Sequence, residues 1–172
     1  MRHIGFLTKV AAAVLVFAAA STATADPLRI TVFGGGGMIG QRVVREALDR
    51  GHQVRVVARN PSQVQEKHER LTIVQGDALD SSRVAELAAG QDVLVSAVGS
   101  ARAKTPDPSV YLKAGESLIG ALRTLGAKAP RLIVVGGVGS LEYAPGKMIL
   151  EDRVPPERRP EHLGQKAALD YY

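Results

Sequence analysis

The chain has no cysteine and no tryptophan among its 172 residues, and only 4% of them are aromatic. Without thiols it forms no disulfide, uses no thiolate nucleophile and builds no cysteine-ligated zinc site, although the redox compartment stays open. Without large aromatics its core has to come from Val, Leu, Ile and Ala, the palette of buried parallel strands covered by helices. Histidine is scarce too: there are four, none paired at metal-ligand spacing, so no metal is expected. Charge of one sign is also lacking. The net charge is +5, two of it from Arg2 and Lys9, and the densest basic spot, Arg158-Arg159, is flanked by Glu157 and Glu161. That pattern reads as a solvated surface and excludes a nucleic-acid face.

The apolar run Val10–Ala20 is 11 residues long, too short for a bilayer span, which takes roughly 20 residues. It follows basic Arg2 and Lys9 and precedes Ala23-Thr24-Ala25, a small-residue cleavage site. Residues 1–25 are therefore expected to be a signal peptide, with Asp26 the first mature residue, export to the periplasm, and no integral membrane span in the mature chain. The remaining 26–172 are ample for one domain with its own core.

Along that domain, apolar segments alternate with helical patterns. Strands are expected at Leu28–Phe33, Gln53–Ala58, Leu71–Gln75, Asp92–Ala97 and Arg131–Val135. Helices are expected from Met38 to Arg50, stopped by Gly51, from Asp80 or Ser81 to about Ala89, from Ser109 to Leu125, stopped by Gly126, and from Glu161 to Tyr172. The stretch from Tyr143 to Pro160, rich in proline and charge, reads as a long loop. Strand–helix alternation implies a three-layer α/β fold, a Rossmann-type doubly wound parallel sheet with right-handed crossovers.

The first strand runs into Gly34-Gly-Gly-Gly-Met-Ile-Gly40 and a helix. In the register Gly34, Gly37 and Gly40, the first glycine turns the chain off the strand. The second lets backbone approach a pyrophosphate, and the third lets helix pack on strand. The helix N-terminus then offers unpaired N–H groups and a positive dipole end to phosphates. Because the glycines stand between an expected strand and an expected helix, the pattern points to a dinucleotide. At the end of the second strand, where an NAD site carries a carboxylate, the chain has Ala58-Arg59-Asn60. Arg59 can pair with a 2′-phosphate and stack on adenine, which favours NADP, with NAD the alternative.

These segments, together with Val57-Ala-Arg-Asn-Pro61, Val74-Gln-Gly-Asp77 and Leu132–Ser140, resemble the atypical short-chain dehydrogenase/reductase group. More narrowly, they are similar to its NmrA-like, NAD(P)H-binding members, which include flavin- and biliverdin-reductase-type enzymes. The resemblance covers about Leu28 to Tyr172. It implies that Gly34, Gly37, Met38, Ile39 and Gly40 contact the pyrophosphate and that Arg59 meets the 2′-phosphate. It implies that Asp77 and Ala78 lie at the adenine edge, that Ala97, Val98 and Gly99 follow the nicotinamide ribose, and that Ser140 sits beside the nicotinamide. The Tyr-x-x-x-Lys pair of classical relatives has one spaced counterpart, Tyr143 and Lys147, but Pro145 and Gly146 between them oppose a helix. Relatives of the group continue past the position of Tyr172 with another strand and a substrate-binding segment, so a truncated or partner-completed domain is one expectation.

The function expected is hydride transfer from NADPH to a small acceptor, a flavin, quinone or carbonyl compound, with Ser140 holding the carboxamide or polarising the acceptor. No strong general acid stands out, which favours acceptors protonated by solvent. The alternatives are a non-catalytic NADP(H)-sensing module and an inactive truncated homologue. Soluble nicotinamide cofactors belong to the cytoplasm, so a misassigned start would place the protein there instead.

Overall fold

The computed structural model describes residues 26–99 and 107–172. The expected signal peptide lies outside them. Five parallel strands form one sheet: β1 (Arg29–Phe33), β2 (Gln53–Ala58), β3 (Leu71–Gln75), β4 (Val93–Ser96) and β5 (Arg131–Val134), in the order β3-β2-β1-β4-β5. The chain winds outward from β1 in one direction, then returns and winds out in the other. The order therefore reverses between β1 and β4, and a crevice opens past the carboxyl ends of those two strands.

The sheet is covered on both faces because its strands are apolar on both faces. Ile30, Val32, Val54, Val56 and Val95 pack against Val44, Ala47 and Leu48 of helix α1 (Met38–Asp49). Phe33, Val57 and Leu94 face the other way. There they pack against α2 (Ser81–Ala88) and α3 (Ser109–Leu125) through Val84, Leu87, Ala88, Ala114, Leu118 and Ala121. Asp80 caps α2, its Oδ1 accepting the Arg83 N–H at 3.0 Å. Gly51 and Gly126 end α1 and α3 with φ of +86° and +55°, angles that a Cβ would strain. At the amino-terminal end of the sheet, Asp92 Oδ2 accepts the Arg29 backbone N–H at 2.7 Å, and its carboxylate pairs with the Arg29 guanidinium at 3.3 Å. The bonds from Arg29 hold the Asp92 carboxyl below the usual carboxylate range.

One expectation fails. The stretch from Tyr143 to Pro160 is not a single loop. Strands β6 (Glu142–Ala144) and β7 (Lys147–Met148) pair antiparallel around a turn with Gly146 at φ +70°, and a short helix, α4 (Ile149–Asp152), follows. Pro145-Gly146 is turn chemistry, but strands of three and two residues are too short to show alternation in the sequence. The last helix, α5 (Arg159–Tyr171), starts two residues earlier than expected, with Pro160 in its first turn, where a missing N–H costs nothing. It packs along α3. No helix among the described residues is long and apolar enough to cross a membrane.

Candidate functional site

The crevice at the switch point is organised by the glycine turn. Gly34 leaves β1 at φ +77°, and a Cβ there would fall 2.5 Å from the Ala97 carbonyl oxygen at the end of β4. A Cβ on Gly40 would overlap the Gly34 carbonyl, and one on Gly35 would press on Val56 at 2.8 Å. These three glycines are required by the protein's own packing. Gly36 and Gly37 differ. A Cβ on Gly36 would meet only Val64 at 3.5 Å, and one on Gly37 only the Gly34 oxygen at 3.2 Å. What a side chain at either position would fill is the crevice.

Gly37 is also the N-cap of α1. No side chain caps this helix and no acidic residue lies in its first turn. The positive end of the dipole is left for something outside the chain, and an anion suits it. The turn itself is stiff: Gly37 N–H donates to Gly34 O at 2.9 Å, and Gln41 Nε2 donates to Gly36 O at 2.8 Å.

Two cavities flank the turn and share Gly34, Val98 and Gly99 as a common wall. The larger, about 540 Å³, lies beyond β2 and β3. Arg59, Asp77 and Ala78 line it, and so do Asn60 and Gln63. Arg59 is exposed and is the one cation among its described walls. Asp77 is the one carboxylate there, and its Oδ1 accepts the Leu79 N–H at 3.0 Å, which holds the loop after β3.

The second cavity, about 290 Å³, lies beyond β4 and β5. Gly37, Met38, Ile39, Ala97, Val98 and Gly99 form one side, with Met38 and Ile39 each 47% exposed at its lip. The opposite side comes from residues to which the sequence assigned no role in a site: Tyr111 of α3, then Arg158, Glu161, His162 and Gln165 at and within α5. Tyr111 is 9% exposed and donates its hydroxyl to Glu161 Oε1. His162 Nδ1 and Gln165 Oε1 are buried with no hydrogen-bond partner among the described residues. In the sequence Glu161 stood out only as the expected start of the last helix. Nothing local tied it to Tyr111, 50 residues earlier.

Gly40 lines neither cavity and serves the packing of α1 on β1. Ser140 ends a single 3-10 turn (Val138–Ser140), where its Oγ donates to Gly137 O at 2.8 Å, and it is not among the described residues lining either cavity. Tyr143 and Lys147 sit on β6 and β7, and the Arg153 guanidinium lies 4.2 Å from the centre of the Tyr143 ring.

Set against known proteins, residues 34–171 match the model of the NAD(P)H-binding family. YwnB of Bacillus subtilis is 36% identical over 114 residues, 66% of this chain and 49% of YwnB. Among solved structures, a Burkholderia pseudomallei protein provisionally named as exported shares 35% identity at a TM-score of 0.70, covering 84% of this chain and 65% of that one. A Streptococcus pneumoniae protein provisionally named an NADH-flavin reductase shares 28% identity at a TM-score of 0.66, covering 83% and 64%. The chain thus spans about half the length of YwnB and under two thirds of each of these two structures.

Proposed function

Because this chain belongs to the NAD(P)H-binding family, among the atypical short-chain dehydrogenases/reductases, we propose that it is an oxidoreductase that takes hydride from NADPH to a small acceptor. The narrower kinship is with NmrA-like reductases. The observation that carries the reading is the pair of cavities sharing the Gly34–Val98–Gly99 wall, with Gly36 and Gly37 keeping the wall bare where a Cβ would intrude. A dinucleotide has two nucleoside halves joined by a pyrophosphate, and the cleft has two cavities joined at an uncapped helix N-terminus.

In this reading the adenosine half occupies the cavity of about 540 Å³, between Asp77 and Ala78 on one side and Arg59 on the other. Arg59 meets the 2′-phosphate. Backbone around Gly37, Met38 and Ile39 receives the pyrophosphate, and Ala97, Val98 and Gly99 run beside the nicotinamide ribose. The cofactor supplies the hydride; the chain orients it and limits the acceptor to what fits beside Met38, Ile39 and the α5 wall. Ser140, Tyr143 and Lys147, which line neither cavity, have no part in it. Residues 1–25 are proposed as an export signal, on the strength of their basic start, apolar run and small-residue end.

The test is a titration of the protein with NADPH and NADH, followed by NADPH oxidation with flavin, quinone and carbonyl acceptors. Saturable NADPH binding with acceptor-dependent oxidation is expected. Binding without turnover would replace the enzyme by a binding module, and no binding of either nucleotide would overturn the reading.

A further inference from the structure

Tyr111 and Glu161 come from different helices and meet on the wall of the smaller cavity. The Tyr111 hydroxyl lies where a Cβ on Gly99 would approach it at 3.3 Å, and Gly99 belongs to the wall shared by both cavities. A buried phenol beside the place where a nicotinamide would lie can give up its proton once the hydroxyl turns from the Glu161 carboxylate to an acceptor oxygen. The other candidates are engaged or turned away. Ser140 is not among the described residues lining the smaller cavity, and His162 Nδ1 is packed against Gly139, 2.8 Å from where its Cβ would be.

Resting on the hydride-transfer reading above, we propose that Tyr111 is the proton donor, that Glu161 positions and reloads it, and that the acceptor is a ketone or aldehyde. Reducing a carbonyl takes a hydride at carbon, which the bound cofactor supplies, and a proton at oxygen. The proton has to arrive as the C=O π pair moves onto oxygen, because an alkoxide is too strong a base to persist in an apolar cleft. The Tyr111 O–H bond breaks, the new O–H bond forms on the acceptor, and the phenol oxygen keeps the electron pair. A phenolate beside a carboxylate is disfavoured, so its proton is replaced as it leaves: Glu161 is half-buried, its carboxylate takes one proton from solvent and passes it to the phenol oxygen, restoring the pair. A quinone or flavin leaves a delocalised anion that water itself can protonate, and depends far less on such a donor.

The experiment compares wild type with Tyr111→Phe, Glu161→Gln and His162→Asn. In the protein without cofactor, proton NMR should show a slowly exchanging hydroxyl resonance downfield of the amides. It should be absent from Y111F and E161Q and present in H162N. With saturating NADPH, wild type should reduce small aldehydes or ketones with a solvent deuterium isotope effect. Y111F should lose about 100- to 1,000-fold in kcat on them. NADPH affinity should hold, and the ratio of quinone to carbonyl turnover should rise by a similar factor. E161Q should fall between the two. Equal carbonyl turnover in Y111F would overturn the assignment. So would a parallel loss of carbonyl and quinone turnover with a lowered Tm, the mark of a mere tie between α3 and α5. Quinone or flavin reduction with no carbonyl reduction in wild type would sink this inference alone. NADPH binding with no acceptor reduced would sink the hydride-transfer reading, and this inference with it.

Discussion

The cavity beside β2 and β3 is built on the glycine turn and the loops that end those strands, whereas the cavity beside β5 and α5 owes its far wall to side chains of two helices. On the first side, the glycine turn fits against Ala97 and Val56 so closely that three of its members admit no Cβ. On the second, Tyr111, Glu161, His162 and Gln165 come together only because α5 packs along α3. A main-chain site is fixed by steric rules that hold wherever the motif occurs, so it is written within one short segment. A side-chain site depends on tertiary packing, so its parts are scattered and each is ordinary alone.

That contrast can be broken most sharply at Gly40. Gly40→Ala puts a methyl into the Gly34 carbonyl, and since the backbone cannot yield cheaply, a loss of about 3 kcal/mol or more is expected. For a domain of this size that is a fall in Tm of about 6–12 °C, together with loss of nucleotide binding. A variant with wild-type Tm and affinity would mean that the turn is looser than its packing implies. Arg59→Ala is next. It removes one charged partner of a 2′-phosphate, so NADPH should bind about 10- to 100-fold more weakly while NADH affinity holds. Equal weakening of both nucleotides would remove Arg59 from cofactor choice. Gly36→Ala isolates the ligand's share of the turn. Its methyl would make an ordinary 3.5 Å contact with Val64, so Tm should stay within about 1–2 °C while NADPH affinity falls about tenfold. Unchanged affinity would show that the bare surface at Gly36 is not approached by ligand.

The smallest effect lies at the amino-terminal end of the sheet, away from both cavities. Asp92 titrates below its unfolded value because Arg29 binds its charged form. Its contribution to stability is therefore present above the ordinary carboxylate range and is lost as pH falls through the lowered value. Asp92→Asn should lower Tm slightly near neutral pH, and the gap to wild type should close below about pH 4. A gap that persists in acid would tie the effect to shape, not charge. Nucleotide binding should not change.

The legibility of the sequence divides along the same line. All five strands of the main sheet were readable because each is a short apolar run ended by a glycine, a turn or a polar cluster. β2 and β3 match their expected bounds, and the others differ by one residue at an end or two. Gly51 and Gly126 mark real helix ends because positive φ is a demand that composition reveals. Gly34 was readable for the same reason, and Gly40 because its fixed spacing from Gly34 marks where the helix presses on the strand. Gly35 was not, because its constraint is the Val56 side chain across the sheet. The hairpin of β6 and β7 escaped notice because two residue pairs carry too little periodicity. Tyr111 escaped because a tyrosine in the first turn of an amphipathic helix looks like core, and only the position of α5 gives it a carboxylate partner.

The three-residue wall shared by the two cavities also bears on how such a chain can diversify. Gly34, Val98 and Gly99 are the only described residues that both cavities use. On the proposed reading, mutations accumulating in α5 change which molecule meets the nicotinamide while leaving the nucleotide grip untouched. A lineage built on this plan can explore new substrates by redrafting one helix, with its currency of reducing power held constant.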